Sequence, residues 1–156
     1  MKTITILLFT IILNACGAST EASKAATLTD TQAKMEQSED LSLEYEAVTR
    51  GTYKNITIKN RMVSWVNERN AKPQVVSLDD KQWESLVTLV NAVDLTSIPK
   101  LEAPSKAHQY DGAPIGSLTV SKNGETYKTQ AFDAGNPHAD LVEVIEQMMA
   151  LTNSKK

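Results

Sequence analysis

The chain has 156 residues, with 16 Lys+Arg against 19 Asp+Glu and one cysteine, which suits one modest domain and rules out an internal disulfide. At 41% hydrophobic and 22% charged residues it is neither a wholly disordered chain nor a polytopic membrane protein. A formal charge of -3 with both signs interleaved excludes the basic stripe that nucleic-acid binding requires.

Lys2 precedes Ile4 to Leu13, a ten-residue run without charge whose only polar members are Thr5 and Thr10. The run fits the apolar stretch of a secretory signal and is too short to cross a hydrocarbon core, which takes about 20 residues. It leads into Leu13-Asn14-Ala15-Cys16-Gly17, which resembles the lipobox of bacterial lipoproteins. The resemblance implies that residues 1–15 are a signal peptide, that Cys16 is lipidated and becomes the first mature residue, and that the protein works in the cell envelope. Gly17 in place of an aspartate is similar to the pattern of lipoproteins forwarded to an outer membrane. Three acyl chains at about 0.8 kcal/mol per buried CH₂ exceed what stable anchoring needs, so the membrane is the first expected partner.

Residues 17–40 contain only Leu28 and Met35 as large apolar residues, with Ala, Ser and Thr supplying 12 of the 24. Such a segment cannot pack a core, and residues 16–40 are expected to form a lipidated tether spanning roughly 27 Å if flexible. An Ala-rich helix through Ala22 to Met35 is the other form it could take, and would also act as a spacer.

From Leu41 to residue 152 the pattern becomes that of one folded domain, with 153–156 as a tail. Leu41, Leu43, Tyr45 and Ala47 alternate with polar residues, as in a half-buried strand. Tyr53 to Lys59, Met62 to Val66 and Gln74 to Val76 follow as further strands, separated by turn-like residues, so the start is an antiparallel meander. Ser77 or Asp79 caps the next element, the latter with Gln82 as its box partner, and Trp83, Leu86, Val87, Val90 and Val93 recur at helical spacing to near Asp94. Pro99 to Pro114 holds three prolines and a glycine and reads as an irregular connection, longer than most that lack a functional role. Ser117 to Ser121 and Glu125 to Ala131 flank Asn123-Gly124, the strongest short hairpin signal. Asn136 with Pro137 is the expected cap of a closing helix driven by Leu141, Val144, Ile145 and Met148. The fold class is therefore α+β: an antiparallel sheet built from a strand meander, a helix, a β-hairpin and a second helix, with both helices packed on one face.

A two-residue turn at Asn123-Gly124 fixes a register in which Leu118 faces Thr129 and Val120 faces Tyr127. Without a bulge, the register continues to Pro114 opposite Asp133 and Asp111 opposite Asn136. It gathers His108, Tyr110, Asp111, Asp133 and His138 at one edge, the candidate binding edge. Two chemistries suit these residues: a divalent metal or anion site from His108, Asp111, Asp133 and His138, or turns whose carboxylates accept backbone N–H bonds. No ligand pair has the fixed short spacing of a metal motif, and the turn reading is preferred, with no metal and no cofactor. Asp133 is expected to occupy the amino end of the last helix itself.

Catalytic templates are missing. The lipobox resemblance implies that lipid consumes the thiol of Cys16; no Gly-x-Ser-x-Gly elbow occurs, and no phosphate loop or dinucleotide fingerprint is present. The run VSLDDKQWESLVTLVNAVDL, the Tyr110-Asp111-Gly112 loop, the hairpin and the last helix are, in this order, similar to emfourin, a type of small exported protein that inhibits thermolysin-like metalloproteases. The resemblance implies an α+β fold and a protease as a candidate partner, and carries no inhibitory residue across. The expected role is that of a non-enzymatic envelope lipoprotein binding a protein partner through the 99–114 loop and the hairpin edge. Protease inhibition and a metal-dependent hydrolase are the alternatives.

Overall fold

The computed structural model describes residues 40–153. The expected signal peptide at 1–15, Cys16 with the expected tether to residue 39, and residues 154–156 lie outside the described residues. The described chain is α+β: a seven-stranded antiparallel sheet with two α-helices. The strands are β1 (Leu41–Val48), β2 (Tyr53–Lys59), β3 (Met62–Val66), β4 (Gln74–Ser77), β5 (Ile115–Lys122), β6 (Glu125–Lys128) and β7 (Phe132–Asp133). The helices are α1 (Asp80–Ala92) and α2 (Val142–Asn153). No helix among the described residues is long and apolar enough to cross a membrane.

The strands lie in the order β4-β3-β2-β1-β5-β6, and β7 also pairs with β5. The meander accounts for the first four, and the hairpin then adds antiparallel to the free side of β1, with Val48 opposite Ile115 and Leu43 opposite Val120. Two tight reversals make this possible. Asn60 and Arg61 have φ of 51° and 59°, and Asn123 and Gly124 have φ of 54° and 78°, the left-handed pair that matches a two-residue turn to the twist of its strands.

Alternation decides which face is covered. Leu41, Leu43, Tyr45 and Ala47 of β1, Ile56 and Ile58 of β2, Val63 of β3, and Leu118 and Val120 of β5 join one buried cluster. Trp83, Leu86, Val87 and Val90 of α1 and Val144, Ile145, Met148 and Leu151 of α2 complete it, so both helices cover that face. The opposite face is polar and open, with Ser42, Glu44 and Glu46 between the core residues of β1. Trp83 is the largest buried side chain among the described residues, and its indole N–H has no partner among them.

Of the two possible starts for α1, the chain uses Asp79: its carboxylate accepts from Gln82 N at 2.9 Å and Gln82 Oε1 accepts from Asp79 N at 3.0 Å. Three expectations need correction. The connection at 99–114 is not wholly irregular, because 3-10 turns occupy Leu95–Lys100 and Ala107–Tyr110. The first buries Ile98 completely, which anchors the connection in the core. The cap before α2 is His138 rather than Asn136: His138 Nδ1 accepts from Asp140 N at 3.3 Å and opens a 3-10 turn at Ala139–Leu141. The hairpin register shifts by one residue between Thr129 and Phe132. Thr129 N still donates to Leu118 O at 2.9 Å, but Phe132 pairs with Gly116 and Asp133 with Ile115. Ser117 thus faces both Gln130 and Ala131, a bulge. Its physical cause is the side-chain parity: an uninterrupted strand would put Thr129, Ala131 and Asp133 inward and Phe132 in water. The bulge instead buries Phe132 beside Tyr45, with ring centroids 6.4 Å apart.

Candidate functional site

The bulge is also what builds the site. By turning Phe132 into the core it points the next side chain, Asp133, away from it and toward the connection that precedes β5. Asp133 is only 4% exposed, and both carboxylate oxygens are filled. Oδ2 accepts from the Ser105 hydroxyl and from Ala107 N at 2.9 Å. Oδ1 accepts from His108 N and from His108 Nδ1, each at 2.6 Å. Asn136 Nδ2 donates to Ser105 Oγ at 2.7 Å and closes the network.

This arrangement has two chemical consequences. The Ser105 hydroxyl first, then the N–H groups of His108 and Ala107 and the His108 ring, hold the Asp133 carboxyl well below the usual carboxylate range, against the opposing effect of burial. Because an ionised carboxylate only accepts, the proton between it and the His108 ring lies on Nδ1. Asp133 therefore occupies the amino end of the Ala107–Tyr110 turn, whose first N–H groups it satisfies, and not the amino end of the last helix as the spacing suggested. A charged acceptor from 25 residues away fastens the connection to the strand end.

The five edge candidates divide accordingly. His108 and Asp133 meet in the network. Asp111 follows the turn in the left-handed conformation, φ 58°, and is exposed. It does not lie opposite Asn136, which bridges to Asp133 through Asn136 N and Asp133 O at 2.8 Å. His138 lies 3.6 Å from Asp140 and takes no part in the network. Tyr110 touches no ring and stands 84% exposed, the most exposed large hydrophobic side chain described. Among the described residues no three His, Cys, Asp or Glu side chains are grouped so as to hold a metal ion.

Sequence reasoning missed Ser105 and Asn136 as partners of Asp133. Ser105 follows a proline in a stretch without periodicity, and Asn136 carries a helix-capping signal that the chain does not use. Ser105 meets Asp133 across 28 positions and the Asn136 side chain meets Ser105 across 31, distances that no local pattern records.

The network makes the connection a firm platform. Gly112 N donates to Ala107 O at 2.9 Å and closes the turn beneath Tyr110, while Ala134 N donates to Pro114 O at 2.8 Å and ties the far end to the strand. Its chemistry is that of presentation: an exposed aromatic ring on a braced turn, with the nearby carboxylate already saturated by protein donors. Comparison with known protein families, with characterised proteins and with solved structures finds no match to this chain.

Proposed function

We propose that the protein is a non-enzymatic, membrane-tethered lipoprotein of the cell envelope that binds a protein partner through the 99–114 connection and the adjoining strand edge. The observation that carries the reading is Tyr110, 84% exposed at the end of a turn braced by Asp133. A tyrosine presents a large, rigid contact area with two rotatable bonds, and a braced turn has little entropy left to lose on binding, which are the properties of interface anchors. The tether belongs to the reading through Leu13-Asn14-Ala15-Cys16, whose likeness to a lipobox implies anchorage, and Gly17 favours an outer membrane.

The test is affinity capture from envelope extract of the producing cell, with residues 17–156 as bait. A partner enriched by the natural chain and reduced at least tenfold by Tyr110→Ala supports the reading. A partner captured equally by the Tyr110→Ala chain, or no enrichment in repeated trials, overturns it.

A further inference from the structure

The sheet ends in two edges, and the chain treats them differently. At the β6 edge Glu125 and Lys128 stand on the strand itself, the 3-10 turn at Leu95–Lys100 lies against it, and Gln130 Nε2 donates to Pro99 O at 3.3 Å. Charge and cover of this kind keep a sheet edge from pairing with another chain. β4 has neither. Gln74–Ser77 is uncharged, has β3 as its one ladder partner, and is exposed at Gln74, Val75 and Ser77, with Val75 49% exposed. α1 leaves this edge and crosses the covered face toward β5, where Asn91 Oδ1 accepts from Lys122 Nζ.

The register shows which backbone groups are free. Leu78 N donates to Arg61 O at 2.8 Å, and hydrogen-bonded pairs in an antiparallel ladder recur at every second residue. With Val63 opposite Val76 and Trp65 opposite Gln74, the peptide groups of Gln74, Val76 and Leu78 point to β3. Those of Val75 and Ser77 point away from the sheet, each an N–H and a C=O without a partner among the described residues. The free stretch has sharp ends. Pro73 has no N–H to offer, and Asp79 N and O are spent on Gln82 Oε1 and Trp83 N, each at 3.0 Å.

We propose that this edge pairs with the same edge of a second copy of the chain, antiparallel about a two-fold axis through Val76, so that two sheets join into one. The strand is complementary to itself in that register: Val75 of each copy faces Ser77 of the other, and all four free groups of both copies find partners. A shift in either direction brings Pro73 or Asp79 against the strand and leaves groups unmet. The same register sets Lys72 of each copy opposite Asp80 of the other, beside the Asp79 carboxylate, which accepts from Gln82 N and pairs with no cation among the described residues. Arg61, already on Asp80 at 2.5 Å, and Lys81 temper that attraction, so the backbone carries the pairing and charge only orients it. A pairing four residues long covers less surface than a stable dimer needs, and the dissociation constant should be about 100 µM. The connection that carries Tyr110 is tied to β7, beside β5, so both copies keep it free.

The experiment is sedimentation equilibrium of residues 17–156 from about 10 µM to about 1 mM. Expected is a monomer–dimer equilibrium that Val75→Pro and Val75→Lys each weaken at least tenfold, while Thr126→Lys, the same charge at the other edge, stays within twofold. Proline is tolerated at an edge position whose N–H faces outward, and the lysine variant keeps the result independent of proline's effect on folding. The register has its own readout. Val76→Cys, the sole thiol in residues 17–156, meets its own copy across the axis at about 4.5 Å between Cα atoms and should oxidise to a linked dimer, whereas Gln74→Cys, opposite Leu78, should not. A monomer throughout the range overturns the proposal, as do a dimer that both Val75 variants leave intact and equal linking by the two cysteines. Dimerisation only of a chain beginning at Asp40 would give the edge to residues 17–39 and overturn it too, as would Val75-dependent capture of an envelope protein by a chain that stays monomeric. None of these failures touches the Tyr110 reading, which has its own capture test.

Discussion

Asp133 spends its charge on its own protein. Four donors converge on one buried carboxylate, so removing the charge weakens every bond at once and leaves the Ala107–Tyr110 turn with unpaired N–H groups. Asp133→Asn should lower the melting temperature at pH 6 by about 8 °C. The pH dependence has a definite sign. A carboxyl depressed in the folded state stabilises above its unfolded value of about 3.9 and loses that contribution as pH falls below it. The melting temperatures of the natural chain and the Asp133→Asn variant should therefore converge between about pH 4 and pH 2; a gap unchanged at about pH 2.5 would contradict this account. Gly116 is the second position where one atom matters. A Cβ there would meet Phe132 Cε2 at 2.7 Å, and the ring is buried, 3% exposed. Gly116→Ala should destabilise by about 2 kcal/mol in urea titration, and combining it with Phe132→Leu should recover part of that loss against Phe132→Leu alone.

At the scale of elements, the bulge at Gln130–Ala131 and the start of α1 show two ways a chain settles a boundary. The α1 start is local: Asp79 and Gln82 exchange hydrogen bonds within four residues, and Asp79→Ala should cost about 1 kcal/mol of global stability in denaturant titration. The acidic first turn is supported further by Arg61, 2.5 Å from Asp80, although so exposed a pair contributes little. The bulge is not local. It follows from the demand of a distant core for Phe132, and it repositions Asp133 as a by-product. His138 takes the cap position before α2 for a related reason: Asn136 is already committed to Asp133 through its backbone and to Ser105 through its side chain.

The described residues share one core, whose members run from Leu41 to Leu151. Because residues 17–39 hold only Leu28 and Met35 as large apolar side chains, a chain beginning at Asp40 should unfold cooperatively at the same melting temperature, within about 2 °C, as one beginning at residue 17. The proposed anchorage, by contrast, belongs to the other end. Cys16→Ser should abolish labelling by a palmitate analogue in cells and release the protein from the membrane fraction, whereas a natural chain that takes up no label would remove the tether from the proposal.

Alternation along β1, the 3- and 4-residue spacing through Trp83 to Val90, the Asn123-Gly124 turn and the Asp79–Gln82 box are encoded within a few positions of one another. Neighbouring residues set their own periodicity and capping, so the α+β class and its elements were legible in the sequence. Tertiary structure alone decided that β5 lies beside β1, that the hairpin shifts register, and that Asp133 faces Ser105 and His108 rather than joining Asp111 and His138. These are contacts between segments tens of residues apart, selected by which side chains a shared core can bury. No local pattern records that competition, and the candidate site exists because of its outcome.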